Sequence, residues 1–262
     1  MKNWLRLAAA GLALMAAPAM APAAELRYAG ATAPLTLDPH GTSDFVTIGV
    51  FRQLYDPLVN YSLDMEIQPG LATEWTYQGD STWRFRIREG VKFHDGQPMT
   101  VDDVVFSIER QRGSAFYATL LGDVKAAVRV DDHHVDVVSN NPDPILPRKM
   151  TRLWVMSKAW VEKNGVVAIP DIGAAGSEAA TIRQANGTGP MKLKLQEPGI
   201  KTVFSRNHDY WAETPGNVEE ATYVPIGAAP TRLAALLSGE VDLILALPLQ
   251  DVERVKGNAG FK

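Results

Sequence analysis

The chain has 262 residues, 46% of them apolar, and a formal net charge of −4. That is enough apolar material for one large core or two smaller ones, and it offers no basic field to draw nucleic acid or anionic lipid. It contains no cysteine, which excludes disulfide frameworks, thiol nucleophiles and thiolate metal sites.

Residues 1–24 read as an export signal. Lys2 and Arg6 give a positive start, residues 7–17 form a short Ala/Leu-rich run, and Ala21-Pro22-Ala23 fits a small-residue cleavage site. A membrane anchor needs about 20 apolar residues, more than this run supplies. Cleavage near Ala23 is expected, and without a cysteine there is no lipoprotein anchor. The expected location is the periplasm.

Residues 25–29 then read as a strand, and residues 36–40 as a loop, because Pro39 disfavours helix at Asp38. Residues 46–58 look helical, with Val46, Val50, Phe51 and Leu54 facing inward and a break at Asp56-Pro57. At 82–88, Trp83, Phe85 and Ile87 alternate with Arg84, Arg86 and Arg88, the period of a half-buried strand. Glu89-Gly90 turns the chain into a short strand at 91–93, and Asp95-Gly96 turns it again. Thr100 caps a helix with Asp103 placed to reach back, and Val101, Val104, Val105 and Ile108 share its apolar face. Residues 124–130 and 134–138 form a hairpin around Asp131-Asp132. Pro142, Pro144 and Pro147 break regular structure before a helix near 159–164. Residues 170–184, rich in Gly and Ala, read as a surface connection or domain crossover. Strands follow at 191–195 and 202–205, then a helix at 230–238 ended by a left-handed Gly239, a strand at 241–247 and a helix from Asp251. Short strands mixed with isolated helices indicate an α/β (mixed α+β) fold.

His94-Asp95 and the run from Asp131 to His134 contain metal-ligating side chains. Both lie at turns without helical His spacing or further ligands nearby, so no metal or other cofactor is expected. No G-x-S-x-G elbow, phosphate loop or paired catalytic carboxylates occur.

The stretch TWRFRIREGVKFHDGQPMTVDDVVFSIER at 82–110 closely resembles the signature region of the family 5 extracellular solute-binding proteins, the dipeptide, oligopeptide and nickel receptors of ABC importers. LTLDPH at 35–40, QLYDPLV at 53–59, LATEW at 71–75, GTGPMKL at 187–193, RNHDYW at 206–211 and LAALLSGEVDL at 233–243 extend the likeness in order. Met191 stands where the family usually has an aromatic.

The resemblance implies a periplasmic-binding-protein-like fold of class II. Residues 25–55 and 180–262 would form a discontinuous first lobe, and 56–179 an inserted domain. Family members are roughly twice as long, so the opposing lobe is expected to be missing, as in a fragment or truncated product. The implied function is capture of a small solute, chiefly peptide, for an inner-membrane ABC permease, as a monomer and without catalysis. A nickel chelate or oligosaccharide receptor, an exported hydrolase on a similar scaffold, and a chaperone or sensor remain alternatives. The ligand-facing positions implied are Thr42, Ser43, Asp44 and Phe45, Tyr117 beside Phe116, and Gly187, Thr188 and Gly189. A solvated loop with a cap at Ser43 or Asp44, aromatic packing, and a glycine-requiring turn account for the same residues. Tyr210-Trp211 reads as packing.

Overall fold

The computed structural model describes residues 23–173, 179–258, 260 and 261. The export-signal reading, save its last two residues, lies outside them, as do residues 174–178 of the expected connection. In chain order come β1 (Ala24–Gly30), α1 (Phe45–Leu54), β2 (Val59–Tyr61), β3 (Ile67–Pro69), β4 (Ala72–Gly79), β5 (Thr82–Ile87) and α2 (Val101–Arg112). The short α3 (Ala118–Leu121), β6 (Val124–Arg129), β7 (His134–Ser139), α4 (Leu146–Lys149), α5 (Lys158–Lys163) and α6 (Ala180–Arg183) follow. The chain closes with β8 (Met191–Glu197), β9 (Lys201–Arg206), β10 (Val218–Pro225), α7 (Ala229–Leu237), β11 (Leu243–Ile244) and α8 (Val252–Lys256).

Two sheets organise these elements. A mixed sheet runs β11-β1-β10-β9-β8, with β1 parallel to both β10 and β11 and the remaining pairs antiparallel. An antiparallel sheet runs β4-β5-β7-β6, and β2 and β3 make a separate ribbon. Between the sheets, Phe51, Leu54, Leu58, Val104, Ile108 and Trp154 belong to one buried cluster, with the rings of Phe51 and Trp154 6.1 Å apart. A smaller cluster of Ala29, Ala235, Leu236 and Val241 holds α7 against β1.

The hairpin at β6–β7, the α2 cap and the left-handed Gly239 (φ 75°) match expectation. Four elements differ from expectation. Residues 91–93 make only an isolated bridge, Lys92 to Pro98, so no second strand forms there. Helix α1 stops at Leu54, because Tyr55 is already extended (φ −132°, ψ 151°) ahead of the residue that precedes Pro57. Pro147 starts a turn of helix instead of breaking one, since a first-turn residue needs no N–H partner. The strand expected at 241–247 shrinks to two residues.

Strand β10, at the centre of the larger sheet, was not foreseen. Its VEEATYVP sequence opens on two carboxylates that hide the pattern. Each is met by a cation from the same sheet, Glu219 by Arg206 of the adjacent β9 (3.5 Å) and Glu220 by Lys194, which reaches across from β8.

Candidate functional site

The loop at 35–45 links β1 to α1, and its backbone is held from several sides. Thr36 Oγ1 accepts from the Asp38 N–H (3.0 Å), and Asp38 Oδ1 accepts from the His40 N–H (3.0 Å). The Tyr55 hydroxyl donates to the Leu37 carbonyl (3.0 Å), and Ser114 Oγ to that of His40 (2.7 Å). Tyr117, fully buried, places its hydroxyl 3.0 Å from both the Pro39 and the Thr42 carbonyl oxygens. Asp44 caps α1 by accepting from the Thr47 N–H (2.9 Å) and hydroxyl (2.8 Å).

Beneath the loop, α2 contributes a buried cation. Arg110 grips both carboxylate oxygens of Asp38 (2.8 and 2.6 Å) and donates to His40 Nδ1 (3.0 Å) and to the carbonyls of Val166 and Val167 (3.0 and 2.9 Å). Burial by itself would raise the Asp38 carboxyl, but the guanidinium holds it below the usual carboxylate range. Burial, reinforced by the Arg110 charge, lowers His40 to about 4, so the ring is neutral at pH 7.

The outcome is a fixed backbone with a small exposed crest. Thr42 is buried, its hydroxyl taken by the Asp44 N–H (3.1 Å). Ser43 is exposed, Asp44 is half-buried, and Phe45 is 82% exposed, far more than a large aromatic needs for folding. Phe116, next to Tyr117, is also half exposed.

The turn of Gly187, Thr188 and Gly189 sits at the other end of α1, about 15 Å away for a ten-residue helix. It touches α1 so closely that a Cβ on Gly187 would lie 1.9 Å from the Leu54 carbonyl oxygen. The Gly189 N–H donates to that oxygen (3.0 Å). The Gly187 N–H points at His94 Nδ1 (3.4 Å), and the Gly189 carbonyl accepts from Asn207 Nδ2 (3.0 Å) and lies 3.1 Å from His94 Nε2. Next to this turn Asp56, buried, accepts from the Thr188 hydroxyl (2.8 Å), the Tyr210 hydroxyl (2.8 Å) and Trp211 Nε1 (2.9 Å). Burial pushes the Asp56 carboxyl up against the pull of these donors. Tyr210 and Trp211 therefore serve as donors into a carboxylate as well as packing.

The structure thus gathers Thr42, Ser43, Asp44, Phe45 and Tyr117 at one end of α1 and the glycine turn at the other. Arg110 and Asp56, which organise the two ends, escaped the sequence reading. Arg110 lies three residues beyond Ser107 and seven beyond Asp103, and the three share a buried polar stripe of α2 that the apolar pattern passes over. Asp56 read only as the residue before a proline.

Among the described residues no group of three or more His, Asp or Glu side chains is placed to hold a metal ion. His134 pairs with Asp131 (2.9 Å), His133 with Glu89 (3.3 Å), and His94 is absorbed by the glycine turn. Burial lowers His94 to about 4, with Lys192 adding to the effect. Its folded value lies below the ordinary 6.5, so the unfolded chain binds more protons between pH 6.5 and 4. The stability it contributes is present above pH 6.5 and lost on acidification through that window. The loss expected is on the order of 3 kcal/mol. Urea midpoints measured from pH 7 to 4 should fall less steeply in His94→Gln than in the parent.

An apolar groove of about 270 Å³ lies between α1 and the larger sheet, lined by Leu26, Tyr28, Val50, Tyr223, Leu243 and Leu245 among others.

Residues 66–262 match the family model described as bacterial extracellular solute-binding proteins, family 5 Middle. The periplasmic oligopeptide-binding protein OppA of Salmonella typhimurium is 26% identical over 242 residues, 84% of this chain and 43% of the relative. The nickel-binding periplasmic protein of Escherichia coli is 27% identical over 245 residues, covering 87% and 44%. Among solved structures, the periplasmic binding protein AgaA in complex with agropinic acid superposes with a TM-score of 0.78 at 26% identity, over 90% of this chain and 46% of that one. DppA from Helicobacter pylori, in complex with the peptide STSA, shares the fold with a TM-score of 0.78 at 24% identity, over 90% and 49%. The chain spans less than half the length of these curated relatives.

Proposed function

Because the chain belongs to the bacterial extracellular solute-binding proteins of family 5, we propose that it acts as the periplasmic receptor of an ABC importer and that its solute is a short peptide. The observation that carries this reading is the crest of the 35–45 loop. Its backbone is immobilised before any ligand arrives, and Ser43 and Phe45 stand out from it. A contact surface ordered in advance spares the entropy of ordering it on binding. Relatives named for oligopeptides, murein peptide and D,D-dipeptide support peptide as the solute, and a nickel-binding relative supplies the competing assignment.

In this reading the five-stranded sheet, with residues 25–55 and 180–262, is one lobe. Residues 56–179, with the four-stranded sheet, are the inserted domain. Ser43, Asp44 and Phe45 form the wall facing the solute, with Thr42 and Tyr117 setting its shape. Gly187, Thr188 and Gly189 contribute from behind, by seating the far end of α1. The relatives' remaining length would supply the opposing wall of the cleft.

Thermal-shift and calorimetric titration with di- to pentapeptides, nickel–histidine and oligosaccharides tests this. A peptide at a hundred times its Kd should stabilise the protein by about 2.7 kcal/mol. Phe45→Ala should weaken peptide binding about tenfold, equivalent to about 1.4 kcal/mol. It should leave the unliganded melting temperature within about 2 °C, because the ring buries little on folding. A response only to the chelate or the sugars overturns the peptide assignment. Release of a hydrolysed product overturns the receptor reading altogether.

A further inference from the structure

The neutral ring of His40 is used on both sides in a way that fixes its tautomer. Arg110 can only donate, so His40 Nδ1, 3.0 Å from its NH1, must be the acceptor. The proton therefore sits on Nε2 and is donated to the Trp154 carbonyl at 2.9 Å. A second proton on the ring would place an N–H against the N–H of Arg110, in a pocket where His40 is fully buried and no water can intervene. The charge would also lie beside the guanidinium. The other groups facing this site do not relieve the conflict. Asp38 is committed to Arg110 through both oxygens. The hydroxyls of Tyr55 and Tyr117 are spent on carbonyls of the same loop.

We propose that His40 is an acid-sensitive latch on the 36–44 loop: protonation of its ring frees the segment that presents Ser43 and Phe45, and solute affinity falls as the medium acidifies. The latch rests on the receptor reading for its effect on solute, but its opening is a property of the loop itself. In the closed loop the ring titrates near 4, and in the released loop near the ordinary 6.5. Closed-to-open ratios should therefore drop roughly twentyfold to thirtyfold between pH 7 and pH 5. Asp38 is ionised throughout that interval in both states and adds nothing to it.

Amide hydrogen exchange on the whole chain, corrected for intrinsic rates, reads the opening directly. The N–H groups of Asp38, His40 and Asp44 should exchange with protection below that of the β5 and β7 strands. That protection should fall about twentyfold or more from pH 7 to pH 5, and the fall should vanish in His40→Gln. Histidine ¹⁵N spectra of the parent give a readout that does not depend on the variant folding, and they should show His40 as the Nε2–H tautomer at pH 7. The latch is overturned by loop protection equal to that of the core strands, by a pH dependence that survives in His40→Gln, or by the opposite tautomer. Titration of each preferred peptide at pH 7 and pH 5 completes the test. If the loop opens with acid while peptide affinity stays flat, the placement of solute on Ser43 and Phe45 fails and the latch stands.

Discussion

Replacing Arg110 with methionine is expected to cost about 3–5 kcal/mol of folding stability, the range for removing one partner of a buried ion pair. The side chains of Arg110 and Asp38 are 4% and 0% exposed, so the orphaned Asp38 carboxylate has no route to water. Attraction between the two charges merely offsets the cost of taking them out of water. The larger loss in the variant is the carboxylate left buried with only the His40 N–H to meet it. The carbonyls of Val166 and Val167 lose their donor at the same time. For a chain of this size the melting temperature should drop by roughly 6–20 °C. Adding Asp38→Leu to Arg110→Met should recover part of the loss, because a buried pair replaced on both sides is far less costly than one broken on one side. A single variant within about 1 kcal/mol of the parent in urea unfolding would mean that the loop is held by its hydroxyl contacts and not by the ion pair.

Asp56→Ala is the second large effect, about 3–4 kcal/mol. Three donors converge on this carboxylate, and the Thr188 hydroxyl is fully buried. A buried donor without an acceptor costs about 1–3 kcal/mol. Tyr210 and Trp211 are only partly buried and can turn to water, which keeps the total below the sum of three such losses. Trp211 also carries the Arg88 guanidinium over its ring at 4.4 Å, so its displacement reaches the sheet of β4 and β5. Asp56→Asn should fall between parent and alanine, since an amide keeps one acceptor and turns a donor toward the others. Denaturant midpoints of the three proteins check the order. Equal stability of alanine and asparagine variants would show that only the charge matters.

What the sequence made legible was whatever is local. The alternation at 82–88, the capping of α2 by Asp103, the turn at Asp131-Asp132 and the glycine ending α7 each arise within a few residues, and each matches the structure. Illegible were features whose meaning depends on distant partners. Arg110 reads as a solvated charge near a helix end until Asp38, 72 positions away, is seen beside it. The acidic start of β10 reads as loop until Arg206 and Lys194 are placed across it. In the candidate site, residues 42–45 are expected near solute only through the resemblance of the loop that follows LTLDPH. Thr42 is buried with its carbonyl met by Tyr117 from another element, while Phe45 stays exposed, a contrast that no local pattern carries.

The stitching of residues 94–95 to residues 186–189 carries a mechanical consequence. Asp95 and Asn186 exchange two hydrogen bonds (3.1 and 2.9 Å), and the His94 N–H reaches the Gly187 carbonyl at 2.8 Å. With Asp56 clamped alongside, the two sheets are riveted at several points around the foot of α1. Any swing of one sheet against the other must first shear those rivets, so they tip together as a single plate. The receptor proposed above would place its pivot somewhere other than between them.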